Sequence, residues 1–403
     1  MKDILAKFGG NFIVSSFVPA LAFLAVSMIV FDPVIPAALL NKIQSTLDPF
    51  GEGGLFLISA TIVLGFTLHS LNTFIYKLFE GYHVLAHLPW LLKMQKRKYQ
   101  KLESRLKEVE ENIKELETEE YRTQNQYEQL TQIESEVKAK IEAVFPVDHK
   151  QKYGRLATLL MCVRDRIDNL ESRIVENESH LKQMEEERYY IMSQLDLRFP
   201  FSEKAILPTG FGNILRAAEA YASDRYGIDS VRLWPQLVHV IPDSYYEKVE
   251  QSNNGLAFLI NCSVLSLLLG LMSIFAAGYQ YYLMRMAQQK KTQLLHFVFV
   301  ESKPRVYLER TYLYGVVFVF ALGLFFFFYR GSFPLVMQYG NMIRSSYDLF
   351  RMQLLTALSL ELPEDSNEER DTWSKVSEFI AVGDRQGPLL FEYQIPTEGS
   401  DNS

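Results

Sequence analysis

Four stretches of this chain contain no Asp, Glu, Lys or Arg at all: 11–31, 55–76, 256–279 and 312–329. Each is about 20 residues long, the length an α-helix needs to cross ~30 Å of hydrocarbon. Lipid offers the backbone no hydrogen-bond partner, so such segments must be helical. The pattern therefore predicts four transmembrane helices. The first is not read as a cleavable signal, because no small-x-small site follows it and Pro33 and Pro36 come next.

Between the second and third stretches the apolar period changes. Leu102, Leu106, Val109, Ile113 and Leu116, then Tyr127, Leu130, Val137, Ile141 and Val144, keep a 4-3 spacing. A second run continues through Leu156, Leu160, Val163, Ile167, Leu170, Ile174, Leu181, Met184, Ile191 and Leu195. A 3.5-residue repeat of this length is a coiled-coil seam. Phe145-Pro146-Val147-Asp148 separates the runs, and a helix has to stop there. The expectation is a long antiparallel hairpin, its ascending helix about 55 residues and its descending helix about 40. The seam is interrupted at Glu120, Thr123, Glu134, Asn177 and Arg188. Such residues either fix the register from inside the seam or turn to solvent.

The fold class expected is an all-α dominated membrane protein: four transmembrane helices, a long cytoplasmic coiled-coil hairpin and a small cytoplasmic α(+β) domain. The boundaries read as a transmembrane hairpin over 1–88, the coiled-coil hairpin over 89–196 and the small domain over 197–255. A second transmembrane pair over 256–332 and a helical region with an acidic tail over 333–403 follow. From Glu361 onward there are 11 acidic and 3 basic residues, which accounts for the net charge of -7. The remainder is near neutral, so no general nucleic-acid-binding surface is indicated.

Lys77, Lys93, Lys96, Arg97, Lys98 and Lys101 follow the second span, whereas Lys42 stands against Asp32, Asp48 and Glu52 after the first. The positive-inside rule then places the hairpin and both termini in the cytoplasm of a bacterial inner membrane. Arg285, Lys290, Lys291, Lys303, Arg305 and Arg310 oppose that rule between spans three and four. In the same loop LLHFVFV and VYLERTYLY flank ESKPR, a β-hairpin pattern.

The 197–255 segment has the most individual sequence. Thr209 is placed to cap a helix that begins after Gly210-Phe211-Gly212-Asn213, and Arg225-Tyr226-Gly227-Ile228-Asp229 reads as a turn. The string PTGFGNILRAAEAYASDRYGIDSVRLWPQL, followed by VIP, resembles the signature of an uncharacterised class of bacterial multi-pass membrane proteins. The stretch YGNMIRSSYDLFRMQLLTALSLELP, with a later acidic run and Trp373, is similar to the C-terminal part of that class. The resemblance covers about a fifth of the chain and implies no reaction. The architecture is also similar to membrane effectors of bacterial antiphage defence.

Gly210, Gly212, Asn213, Arg216, Arg225 and Arg232 form the candidate ligand site. Helix N-terminal amides and guanidinium groups both attract anions, so a nucleotide or oligonucleotide is one expectation. The competing reading pairs Arg216 and Arg225 with Glu219 and Asp229. Within the spans, His69 and Asn72, near Thr61 and Gly65, are candidates for a pore or for helix packing. Ser266, Gly270 and Ser273 form a small-residue stripe that suits an assembly face or packing within one protomer. His83 and His87 have metal-ligand spacing but lack the glutamate of the zinc hydrolases. The cysteines, Cys162 and Cys262, form no Cys-x-x-Cys pair. No catalytic or cofactor motif is present, so the functional expectation is a homo-oligomer in the bilayer, gating a pore through its cytoplasmic region. A cytoplasmic protein or an anionic ligand would supply the signal. The alternative is a non-conducting scaffold that recruits a partner through the coiled coil.

Overall fold

The computed structural model describes residues 12–31, 53–144, 154–289, 304–383 and 391. Of the described residues, 91% are helical, and no strand occurs among them. The helices are α1 (Val18–Phe31), α2 (Gly53–Glu80), α3 (Pro89–Val144), α4 (Gly154–Arg198), α5 (Gly210–Tyr226), α6 (Ser230–Val238), α7 (Asp243–Gln289), α8 (Pro304–Ala357) and α9 (Ser366–Val382). A π-helical turn, Ile13–Phe17, leads into α1, and a short 3₁₀ turn, His83–His87, separates α2 from α3. Among the described residues four helices are long and apolar enough to cross a membrane, within Ile13–Phe31, Leu57–His87, Asp243–Met286 and Tyr307–Ala357.

The chain divides into two compact units, Lys96–Phe199 and the remainder. In the first, α3 has 56 residues and α4 has 45. They run antiparallel, with Arg105 on Glu187 at 2.8 Å, Arg173 on Glu119 at 2.7 Å and Arg164 on Glu134 at 3.9 Å. Val109, Ile113 and Ile191 are buried with Leu102, Leu106, Leu181, Met184 and Leu195 packed around them, all at 4-3 positions. Thr123 does not turn to solvent: it is 3% exposed, and its hydroxyl donates to the Glu119 carbonyl at 2.8 Å. The bend proposed at 145–148 lies outside the described residues.

In the second unit α7 and α8 are the axis. They pack antiparallel: Ser263 Oγ donates to the Phe325 carbonyl at 3.2 Å, and Gly270 lies against Phe318 and Ala321. Both continue beyond their apolar stretches, α7 to a total of 47 residues and α8 to a total of 54. The divisions expected at 255/256 and 332/333 therefore fall inside helices. The expected β-hairpin is also corrected: 304–313 form the first turns of α8, while 290–303 lie outside the described residues. The segment 197–255 is helical as well, because its caps dictate it. Thr209 accepts from Gly212 N, Gly227 ends α5 in the left-handed conformation, and Asp229 caps α6.

The polar end has one core rather than two domains. Ala222, Ile228, Leu233, Leu237 and Ile241 bury themselves against Ile343, Tyr347, Leu354, Leu355, Trp373 and Val376. Each leucine, isoleucine and valine among them contributes roughly 1.5–3 kcal/mol relative to exposure. Separating 197–255 from 333–383 would expose that whole cluster.

Candidate functional site

The signature loop grips the end of α2. Thr209 does two jobs: its Oγ accepts from Gly212 N at 2.9 Å and donates to the Phe79 carbonyl at 2.7 Å. Phe79 O is one of the orphan carbonyls at a helix C-terminus, so this bond caps two helices at once. Gly212 is required by proximity, since a Cβ there would stand 2.1 Å from the Glu80 carbonyl oxygen. The negative end of the α2 dipole thus meets the positive end of α5. Gly81 then turns the chain with φ +96°, close to Pro208. Asn213, fully buried, donates to Leu207 O at 3.0 Å and accepts from Leu207 N at 2.6 Å, which fixes the loop. Gly210 faces the Phe333 ring. Phe79 packs on Phe211 and Tyr329, and Tyr76 donates to Asn253 of α7 at 3.0 Å.

The glycines read from sequence as a phosphate cradle are thus occupied by the chain itself. The three arginines do not converge. Arg216 lies 3.6 Å from Glu219 and Arg232 lies 3.5 Å from Asp229. Arg225 does not pair with Asp229; it donates to Tyr221 OH at 3.0 Å and sits over that ring. Arg216 and Arg232 share a groove of about 690 Å³ over α5, α6 and α9, with Glu219, Asp224 and Asp229 in its lining. Carboxylates outnumber guanidiniums there, so a free anion meets no net positive field. Burial pushes the Glu219 carboxyl above its ordinary range, and Arg216 opposes the shift.

A second set of residues, unsuspected from sequence, locks α5 to α8 and α9. Tyr221 and Tyr226 donate to Asp348, at 3.0 and 2.7 Å to the same oxygen. Arg351 stacks over Tyr226 at 4.1 Å and holds Glu369 at 2.6 Å. Burial and the Asp348 carboxylate together push the Tyr226 phenol up to about 12. Tyr221 and Tyr226 lie within the signature string, but Asp348 is more than 120 residues away. No local spacing could join them.

The membrane candidates separate. Gly270 lies on α8, while Ser266 and Ser273 are buried and return their hydroxyls to their own helix at Cys262 and Leu269. That stripe is used within one protomer. Thr61, Gly65 and the amide oxygen of Asn72 face inward, whereas His69 is exposed. Asn261 is fully buried and donates to the Ser15 carbonyl at 2.8 Å, at the π turn where the regular helical ladder is interrupted. His83 and His87 occupy a 3₁₀ turn, in which positions four apart are not on one face, and His83 stacks on Phe74. Among the described residues no group of three or more His, Cys, Asp or Glu could hold a metal ion. No known protein family, curated protein or solved structure matches the chain.

Proposed function

We propose that the protein is an oligomer of the bacterial inner membrane whose cytoplasmic hairpin and core control a pathway across the bilayer. The observation that carries this reading is the joint at α2. The C-terminus of an apolar helix is held by backbone contact, through Thr209 and Gly212, against α5. The chain then passes, within eight residues, into the long α3. A displacement of the coiled-coil hairpin is therefore delivered to span two. Unbroken α7 and α8 carry the same displacement to the other pair of spans. A bistable packing of such elements is the usual substrate of a switch.

Of the two signals expected, a protein partner suits the site better than an anion. The groove presents both charges, and α3 and α4 carry acidic and basic side chains on their exposed faces. The controlled step is opening of a pore, in keeping with an effector that compromises the cell. Potassium-loaded vesicles containing the purified full-length protein test the reading, with and without cytosolic extract. Ion release in either condition is expected; retention of potassium in both overturns it.

A further inference from the structure

The spans differ in what they turn outward. In 12–31, 256–279 and 312–329 every exposed residue is apolar or glycine, apart from Tyr279 and Tyr312 at the ends. Val26 and Ile29 of α1, Leu271 and Phe275 of α7 and Val319 and Phe327 of α8 are examples. Such faces suit acyl chains. In α2 the exposed residues include Ser59, Thr67, His69, Ser70 and Thr73. Helical spacing puts Ser59, Ser70 and Thr73 within one arc, together with the exposed Val63 and Phe66, and with Thr67 and His69 on its two sides. Thr67 satisfies its own hydroxyl on Val63 O at 2.8 Å. An imidazole beside a run of hydroxyls is nonetheless an unfavourable surface for lipid.

We infer that the outward face of α2 around Ser70 is where a second copy of this chain packs in the bilayer. Three observations select that occupant. The small-residue stripe on α7, the other candidate for assembly, is consumed by α8 within the protomer. The α2 face is also self-complementary. Two copies inserted in one orientation and related by a two-fold axis normal to the bilayer bring the residues at that axis against their own counterparts. Serine, threonine and neutral histidine each both donate and accept, so Ser70 and Thr73 can bond to their own counterparts. Finally, no formal charge interrupts the face until Lys77, where repulsion between copies falls at the end of the span and in water.

The inference rests on the oligomeric membrane reading above, but its failure can be told apart. Two differently tagged full-length chains lacking cysteine (Cys162→Ser, Cys262→Ser) are co-expressed with one new cysteine each, and native membranes are oxidised. Ser70→Cys and Thr73→Cys should form mixed disulfide dimers at several times the yield of Val319→Cys and Phe275→Cys. Equal yields at all four positions overturn the inference. Potassium release from vesicles without selective crosslinking retains the pore and removes this interface. Selective crosslinking without release does the reverse.

Discussion

Gly212→Ala is the sharpest test of the joint. The added Cβ would stand 2.1 Å from the Glu80 carbonyl oxygen, 2.7 Å from its carbonyl carbon and 2.8 Å from its Cα. All three are backbone atoms at the end of α2, so no flexible side chain can move aside. Relief to an ordinary contact needs about 1 Å of separation between α2 and α5, which also strains the Thr209–Phe79 bond. Overpacking of this kind costs typically 1–3 kcal/mol, and more where only backbone can yield. Alanine in place of glycine within a helix returns up to about 1 kcal/mol. The net expectation is a loss of about 2 kcal/mol, or a fall in Tm of roughly 4–8 °C for a body of this size. Thermal unfolding of the purified protein in detergent measures it. Gly278→Ala, where an added Cβ meets nothing within 4 Å, is the control and should hold or gain stability. If Gly212→Ala is as stable as the control, the close approach of α2 and α5 does not exist and the joint fails with it.

Asp348→Asn removes the charge that two phenols share and should cost about 1.5–3 kcal/mol in the same assay. Ultraviolet titration of the tyrosines should show one phenol at about 12 returning toward 10 in that variant. The sign for stability follows: a phenol raised in the folded state stabilises fully below pH 10, and that contribution is lost as pH rises from 10 to about 12. Asn261→Leu should lower Tm by the equivalent of about 1 kcal/mol, since the Ser15 carbonyl loses its donor in the spans; an unchanged Tm would place that carbonyl elsewhere. Gly270→Val should destabilise the fold by crowding Phe318 and Ala321 without changing the particle mass by light scattering. A smaller assembly at unchanged Tm would return that stripe to the interface between copies.

What could be read from sequence was what depends on period. Charge-free runs marked the four apolar helices, and the 4-3 spacing of Val109, Ile113 and Ile191 marked the seam they now occupy. Thr209 and Asp229 announced their helices through local capping chemistry. What failed was chiefly what a distant partner decides. Gly210 and Gly212 looked like space for a ligand because sequence does not show that Glu80 and Phe333 fill it. Arg225 had an acid four residues away, yet the two-tyrosine cage around Asp348 took it. The β-branched and aromatic residues of 306–313 suggested a strand, but continuity with an apolar helix overrode propensity. Thr123 entered the seam because a hydroxyl can satisfy itself on its own helix.

The uninterrupted α7 and α8 leave the larger of the two units without a cutting point at 255/256 or 332/333. A soluble fragment ending near 255 or beginning near 333 would sever a helix in mid-course. In the second case it would also remove Ile343, Tyr347, Leu354 and Leu355 from the residues they cover. Packing of the apolar helices and completion of the polar core are then a single event in the biogenesis of the chain. α8, made last of the long helices, is the strut that closes both.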